Sequence, residues 1–190
     1  MENNFETDLK IHNEGTAPEP QRAILETAKQ KLGFIPNMYG VMANSNTMLD
    51  AYVYSYEAFR KNSAFSLVEQ EVVFLSISAV NECHYCAAAH TFIADKMSKV
   101  PREVTNAIIA NEKIKDKKLK ALSAFTKALV ENRGWVSGGE KKDFTDAGFN
   151  SSQMLDILTA IGIKTMSNYM NHIKQTPIDD VFAKTKSMPV

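Results

Sequence analysis

The stretch that decides the fold spans residues 66–86 and reads SLVEQEVVFLSISAVNECHYC. Ser66 and Glu69 have the spacing of a capping box, in which each side chain accepts a hydrogen bond from the backbone N–H of the other residue. From Leu67 to about Val80 the residues are apolar on nearly every face of a helix, which predicts a buried helix. Asn81-Glu82 interrupts the apolar run, and a pair of cysteines follows at once.

Helix signals continue on both sides of this stretch, whereas the alternation typical of strands is almost absent. The sequence therefore predicts an all-α fold of eight or so helices. Residues 1–17 are polar and predict a flexible N-terminal arm, and residues 18–190 predict a single helical domain. The predicted helices span about 18–32, 45–61, 67–80, 83–97, 101–110, 117–131, 137–148 and 150–175, with a further segment that starts at Ile35-Pro36.

The composition excludes several classes of partner. The 190 residues include 22 Lys plus Arg and 22 Asp plus Glu, so the formal charge is zero, and no basic surface is expected for nucleic acid or an anionic membrane. The segment Met1 to Lys10 lacks the apolar core of a secretory signal, and no run approaches the roughly 20 apolar residues of a membrane span. We therefore expect a cytoplasmic protein.

The two cysteines of the chain, Cys83 and Cys86, lie three residues apart, and His90 follows one helical turn later. In a helix, Cys86 and His90 stand at i and i+4, and Cys83 and His90 at i and i+7, so all three share one face. In a reducing cytosol a Cys-x-x-Cys pair is more often catalytic or metal-binding than a structural crosslink. The pattern predicts thiol chemistry with a base beside the thiol.

Three features would activate a thiol in this position. A free cysteine has a pKa of about 8.5, so only a few per cent is thiolate at neutral pH. The first turn of a helix, the His90 imidazole and the neighbouring cysteine would each favour the thiolate. Attack of Cys86 on a peroxide would give a sulfenic acid, which Cys83 lies close enough to condense with. Because the chain has no third cysteine, reduction requires an external dithiol.

Glu71 is a second candidate because it shares a helix face with three apolar residues, Leu67, Phe74 and Leu75, at i−4, i+3 and i+4. Burial would raise the pKa of this carboxyl and make it a better proton acceptor near neutral pH. The alternative is that Glu71 is exposed on a helix whose buried face lies elsewhere.

The spacing from Glu71 through Asn81-x-Cys83-x-Tyr85-Cys86-x-x-x-His90 resembles that of the AhpD-like alkylhydroperoxidase family, within the carboxymuconolactone decarboxylase superfamily. Residues 33–37, GFIPN, and 167–172, SNYMNH, with Thr176-Pro177, are similar to its peroxidase-related members. The similarity covers about residues 30–183. It implies an all-helical fold that assembles as homo-trimers or hexamers, and a peroxidase with no haem, flavin or metal.

The resemblance also implies roles for individual residues. Glu71 and His90 would relay protons from the thiol, the hydroperoxide would oxidise Cys86, and Cys83 would resolve it as an intramolecular disulfide. The electron donor would be a lipoyl-bearing protein, thioredoxin or a related carrier. One family member has an active-site histidine immediately before the second cysteine, where this chain has Tyr85.

Four residues are candidates for the surrounding pocket: Tyr85, His84, Asn168 and His172. His84 lies one residue before the position of the family histidine. His172 lies in the last turn of the final long helix with Asn168 at i−4, where it could either satisfy terminal carbonyls or line the pocket or an oligomer interface.

Other functions remain open at this stage. Zinc would need Glu71, His84 or His172 to complete a set of four ligands with the two cysteines and a histidine, because the chain has no second Cys-x-x-Cys or His-x-x-x-His. The cysteines could also pack simply as small hydrophobic residues. A decarboxylase or lactone-processing activity would not need the cysteine pair, and a non-enzymatic alternative is an oligomer whose disulfide senses redox state.

Overall fold

The computed structural model describes residues 7–183 and confirms the all-α prediction, since these residues form ten α-helices and no strand. Within them, no helix has both the length and the apolar character required to cross a bilayer. The helices are α1 (Gln21–Leu32), α2 (Asn37–Met42), α3 (Asn46–Asn62), α4 (Leu67–Val80), α5 (His84–Ile93), α6 (Arg102–Ile109), α7 (Lys117–Glu131), α8 (Gly138–Asp146), α9 (Ser151–Lys174) and α10 (Asp180–Ala183).

Helix α4 is the centre of the domain. It packs against α5, α6, α7 and α9, and every residue from Glu69 to Ser78 is buried. The predicted capping box is present, because the Ser66 hydroxyl accepts from the Glu69 backbone N–H and the Glu69 carboxylate accepts from Ser66 N–H. A helix that is apolar all round has neighbours on every side, so its few polar side chains must find partners inside the protein.

Helix α5 differs from its prediction at the C-terminal end. The sequence predicts one helix over 83–97, whereas the α-helix ends at Ile93 and Ala94–Ser98 continue it as a π-helical turn. Lys99 then takes a left-handed backbone conformation with φ of 56°, and Val100 N–H donates to the Ala94 carbonyl at 2.9 Å. The wider turn is a local departure that hydrophobic periodicity does not reveal.

The N-terminal segment 7–17 lies against α2 without helical structure. His12 N–H donates to the Gly40 carbonyl at 3.0 Å, and Lys10 exchanges two backbone hydrogen bonds with the Asn44 side chain. Ala17 is 1% exposed. The division of the chain into an arm over 1–17 and a domain over 18–190 stays a prediction, and residues 1–6 and 184–190 lie outside the described residues.

Two helical glycines test this packing. A Cβ on Gly40 would lie 2.5 Å from the His12 carbonyl oxygen and 2.9 Å from Ile11 Cγ2, whereas a Cβ on Gly162 would meet nothing within 4 Å. We expect Gly40→Ala to lower the free energy of unfolding by about 1–3 kcal/mol, since overpacking displaces backbone. Gly162→Ala, the matched control, should raise it by about 0.5–1 kcal/mol. Urea unfolding measures both, and equal effects would contradict the described contact.

Candidate functional site

The start of α5 positions the two thiols. Cys83 is the N-cap residue and its carbonyl accepts from Ala87 N–H at 2.9 Å, so Cys86 falls in the first helical turn. Both cysteines are free thiols and each is 1% exposed. The positive end of the helix dipole therefore lies next to Cys86, in surroundings that exclude most water.

Helix α9 supplies polar groups to both sulfurs. Asn171 Nδ2 donates to Cys86 Sγ at 3.4 Å and to Cys83 Sγ at 3.8 Å, so a single amide bridges them. The Ser167 hydroxyl lies 3.7 Å from Cys86 Sγ. Because one side chain contacts both sulfurs, the two thiols are held on the same side of α9.

The two thiols ionise very differently. Burial raises the pKa of Cys86, but a hydrogen bond from the Cys83 thiol and the charge of Lys164 outweigh it, so the pKa lies well below its ordinary value. The hydrogen bond to the Cys86 thiolate raises the pKa of Cys83, and burial raises it further. Of the two sulfurs, the one at 86 is therefore the more readily ionised, and the Cys83 thiol is its hydrogen-bond donor.

Glu71 is completely buried and ties three helices together. Its Oε2 lies 2.8 Å from His90 Nδ1 on α5, and its Oε1 lies 2.5 Å from the guanidinium of Arg60 on α3. The Phe74 ring lies against both partners, with the His90 ring stacked at 4.8 Å between centroids and Arg60 Cζ 4.9 Å from its centroid. The alternative of an exposed Glu71 is therefore wrong.

The expected direction of the Glu71 pKa shift is also wrong. Burial raises this pKa, as the sequence suggested, but contacts with His90 and Arg60 outweigh burial and bring the pKa below its ordinary value. Glu71 is thus a fixed carboxylate at neutral pH. Its effect on chemistry must come through the imidazole that it orients, because it does not hold a proton of its own.

His90 is buried and neutral at pH 7. Burial and the charge of Lys164 lower its pKa to about 4, although Glu71 acts in the opposite direction. Since the Glu71 carboxylate accepts the Nδ1 proton, Nε2 carries the free lone pair. His90 lines the same cavity as Cys86, but the hydrogen-bond partners of the Cys86 sulfur are Cys83, Ser167 and Asn171.

A cavity of about 540 Å³ gives access to the site. Cys86, His90 and Lys164 line it, whereas Cys83 is not among the described residues at its wall. An incoming molecule would therefore meet the sulfur at 86 first. The remainder of the wall is mainly apolar and aromatic, and includes Met38, Tyr39, Tyr52, Tyr56, Phe92 and Phe182.

Two of the four additional candidates have structural contacts near the site. The Tyr85 hydroxyl donates to Asp179 Oδ2 at 2.5 Å and accepts from Met38 N–H at 3.2 Å, and its ring lines the cavity. Asn168 is buried and accepts from the Asn81 side chain at 2.9 Å, which joins α9 to the end of α4. Asn168 thus supports the site from outside the cavity wall.

The other two candidates lie away from the cavity wall. His84 is exposed at the first position of α5, and His172 is exposed and stacks on Tyr169 with centroids 6.3 Å apart. Neither histidine is within the buried thiol cluster. Among residues 7–183, no group of three or more His, Cys, Asp and Glu side chains has the arrangement of a metal site.

Sequence reasoning missed Arg60, Lys164 and Asp179. Arg60 pairs with Glu71, and Lys164 is a fully buried lysine on the cavity wall. The sequence pattern could have indicated a buried Lys164, because this lysine shares a helix face with Ala160 and Ser167 at i−4 and i+3. Both of these residues are buried. A lysine in such a face is as anomalous as a glutamate.

A sequence comparison supports the family resemblance. Residues 47–131, which run from the second residue of α3 to the end of α7 and include the whole cysteine motif, match the model of the carboxymuconolactone decarboxylase family. A comparison with curated proteins finds no match.

Solved structures share the fold. A peroxidase-related protein from Ralstonia eutropha JMP134 with an alkylhydroperoxidase AhpD core has a TM-score of 0.80 at 22% identity, covering 90% of this chain and 92% of its own. A peroxidase-related protein from Silicibacter sp. TM1040 has a TM-score of 0.79 at 20% identity, covering 94% of each chain. The debrominase Bmp8, solved as a cysteine-to-alanine variant in complex with 2,3,4-tribromopyrrole, has a TM-score of 0.77 at 16% identity, covering 94% and 95%. At these identities the likeness shows an AhpD-like fold.

The buried ion pair should be strongly coupled. We expect Glu71→Gln to lower the free energy of unfolding by about 3–5 kcal/mol, because Arg60 is left as an uncompensated, largely buried charge. Adding Arg60→Met should cost about 1–3 kcal/mol less than the sum of the two single variants. The measurement is a double-mutant cycle by urea unfolding.

The matched control for this cycle is the exposed pair of Asp95 and Arg102, whose oxygen and nitrogen atoms lie 2.8 Å apart. Asp95→Asn and Arg102→Met should show a coupling below about 1 kcal/mol, as surface pairs do. Equal coupling in the two cycles would contradict the structural importance of Glu71.

The neutral state of His90 predicts a pH dependence of stability. Its folded pKa of about 4 lies below the roughly 6.5 of an unfolded histidine, so the unfolded chain binds the extra proton between these values. The contribution of His90 to the free energy of unfolding should fall as pH drops from about 6.5 to about 4, by up to about 1.4 kcal/mol per pH unit. Unfolding across this range should show a shallower slope in His90→Gln, and parallel curves would disprove the assignment.

Proposed function

We propose, from the match of residues 47–131 to the carboxymuconolactone decarboxylase family model and from the AhpD-like fold, that this chain is a thiol-dependent hydroperoxide reductase. Cys86 is the thiol that the peroxide oxidises, Cys83 resolves it, and His90 with Glu71 handles the proton. The reaction uses an external dithiol and no haem, flavin or metal. We place it in the cytoplasm, where dithiol carriers are kept reduced.

The observation that carries this proposal is the asymmetry of the two sulfurs. The sulfur with the lowered pKa lines the cavity, and the sulfur with the raised pKa lies behind it and donates to it. A thiolate at the wall is the nucleophile that a peroxide requires, and a protonated thiol beside it is the group that a sulfenic acid needs next. Two cysteines that served only as small apolar core residues would not require this difference in ionisation.

The first step is attack of the Cys86 thiolate on the terminal oxygen of the hydroperoxide. The S–O bond forms as the O–O bond breaks, so the sulfur is oxidised to sulfenic acid and the alkoxide that leaves takes up one proton from solvent to become an alcohol. We propose that this proton passes through His90 Nε2. An imidazole with a pKa of about 4 does not retain a proton, which suits it to transfer rather than storage.

The second step closes the disulfide. The Cys83 thiol attacks the sulfenic sulfur, an S–S bond forms, and the hydroxyl leaves as water with the proton of Cys83. An external dithiol, of the lipoyl or thioredoxin kind, then reduces the bond through a mixed disulfide. Assembly into homo-trimers or hexamers, which the family resemblance implies, remains part of this proposal.

The test is donor-coupled turnover of an organic hydroperoxide in single cysteine variants. We expect Cys86→Ser to lose at least roughly 10³-fold in turnover, because the nucleophile is removed. Cys83→Ser should reach the first oxidation but accumulate sulfinic acid at Cys86, since no thiol captures the sulfenic acid. Mass spectrometry of the peptide that contains Cys86 measures this directly.

Four results would contradict the proposal. Wild-type turnover in Cys86→Ser would remove the assigned nucleophile, and no rise in sulfinic acid in Cys83→Ser would remove the resolving role. Activity of the Cys83→Ser, Cys86→Ser double variant on a carboxylated lactone would favour the decarboxylase alternative. Peroxide consumption that is independent of any dithiol, together with a change of oligomer on oxidation, would favour a redox sensor. Asn171→Leu removes the amide that contacts both sulfurs but keeps both thiols, so its turnover is compared with that of the wild type and of the single cysteine variants.

A further inference from the structure

Lys164 is a buried cation that the steps above leave unused. Its side chain comes from the middle of α9, is 0% exposed, and its Nζ has no hydrogen-bond partner among the described residues. It lines the cavity together with Cys86, and Nζ lies 5.6 Å from the centroid of the Phe74 ring. The aromatic face compensates a buried ammonium only in part, so an opposite charge is needed nearby.

The other basic side chains of the cavity are already accounted for. Lys31 and Arg60 each form an ion pair with a glutamate, at 2.7 and 2.5 Å. His90 is neutral at pH 7, since burial holds its pKa at about 4. Among the described residues that line the cavity, Lys164 is therefore the cation without a carboxylate partner.

We propose that the Cys86 thiolate is the counter-charge of Lys164, and that Lys164 thereby makes the Cys83–Cys86 disulfide easier to reduce. This role rests on the disulfide cycle proposed above. Lys164 acts through the Cys86 sulfur, by stabilising its negative charge, and does not act on the peroxide itself. It is therefore a positioning residue. The direction agrees with the ionisation of Cys86, whose pKa burial raises but the Cys83 hydrogen bond and the Lys164 charge lower.

The redox consequence follows from the charge of each state. In the reduced state the Cys86 thiolate and the Lys164 ammonium match, whereas in the disulfide the sulfur is neutral and the ammonium is left unmatched. Two electrons and one proton convert the disulfide into a Cys83 thiol and a Cys86 thiolate. Stabilising the reduced state in this way makes the disulfide a stronger oxidant, so a dithiol donor reduces it more completely.

The remaining ionisable groups around Cys86 and Lys164 do not offer another counter-charge. Burial raises the pKa of each of the four tyrosines, which therefore stay neutral, and the charges of the α3 arginine and the α4 glutamate cancel. By element, these groups are Tyr39 from α2, Tyr52, Tyr56 and Arg60 from α3, Glu71 from α4, and Cys83, Tyr85 and His90 from the N-cap and body of α5.

The first experiment measures the thiolate of Cys86 by its ultraviolet absorbance during a pH titration, in a Cys83→Ser background with one thiol. We expect Lys164→Met and Lys164→Gln to raise the apparent pKa of Cys86 by one unit or more, a tenfold or greater loss of thiolate at fixed pH. Lys164→Arg, which retains the charge, should stay close to the parent. Lys174→Met changes the other lysine of α9 and is the matched control.

The second experiment measures the exchange equilibrium with dithiothreitol in the two-cysteine protein, from about pH 6 to 7.5, where ordinary thiols are protonated. In the wild type, disulfide plus dithiol gives Cys83 thiol, Cys86 thiolate, oxidised dithiol and one proton. The apparent constant should therefore rise tenfold per pH unit. In Lys164→Met the Cys86 thiolate is less stable, so the constant should be at least tenfold lower at pH 7.

Each outcome supports or overturns the role of Lys164. An unchanged Cys86 pKa in both neutral variants, or an unchanged exchange constant at pH 7 in Lys164→Met, would overturn it. An equal shift in Lys164→Arg would show that packing rather than charge is responsible, and would also overturn it. Circular dichroism checks that each variant is folded. Neither experiment uses a hydroperoxide, so a Lys164 effect in a protein without peroxide turnover would refute the proposed function alone.

Discussion

Burial of charge beneath an apolar helix is the constraint on which the rest of this structure depends. Because α4 packs on every side, the carboxylate of Glu71 has no access to water and must be matched by groups from other helices. Arg60 and the His90 imidazole provide that match, and in doing so they fix α3 and α5 relative to α4. The catalytic histidine of the proposed mechanism is thus oriented by the same contact that holds the core together.

Local sequence rules predicted the helices well where the controlling interactions are local. Ser66 with Glu69 forms the capping box that its spacing indicated, and α4 begins there; Asn150 with Gln153 forms another at the start of α9. The π-helical turn at Ala94–Ser98 was not predicted, because it depends on how the end of α5 meets its neighbours rather than on periodicity.

The sequence predicted the parts of the candidate site that depend on residue spacing within one helix, and did not predict the contacts that other helices make. Glu71 stood out as a carboxylate among apolar residues, and the structure brings it to His90, but its pKa moves opposite to expectation because contacts with His90 and with Arg60 from another helix outweigh burial. Arg60 lies in the last turn of α3, where a basic residue ordinarily interacts with the helix dipole. The exposure of His84 and His172 depends on how each helix is rotated in the domain, which one sequence does not specify.

The N-terminal segment has a mechanical connection to the cavity. The His12 N–H bond to the Gly40 carbonyl links this segment to α2, and the first turn of α2 contains Met38, whose N–H donates to the Tyr85 hydroxyl while its side chain forms part of the wall. Tyr85 belongs to the same helical turn as the reactive sulfur. A change in residues 10–12 would therefore reach the cavity wall through α2, although none of these residues lines the cavity.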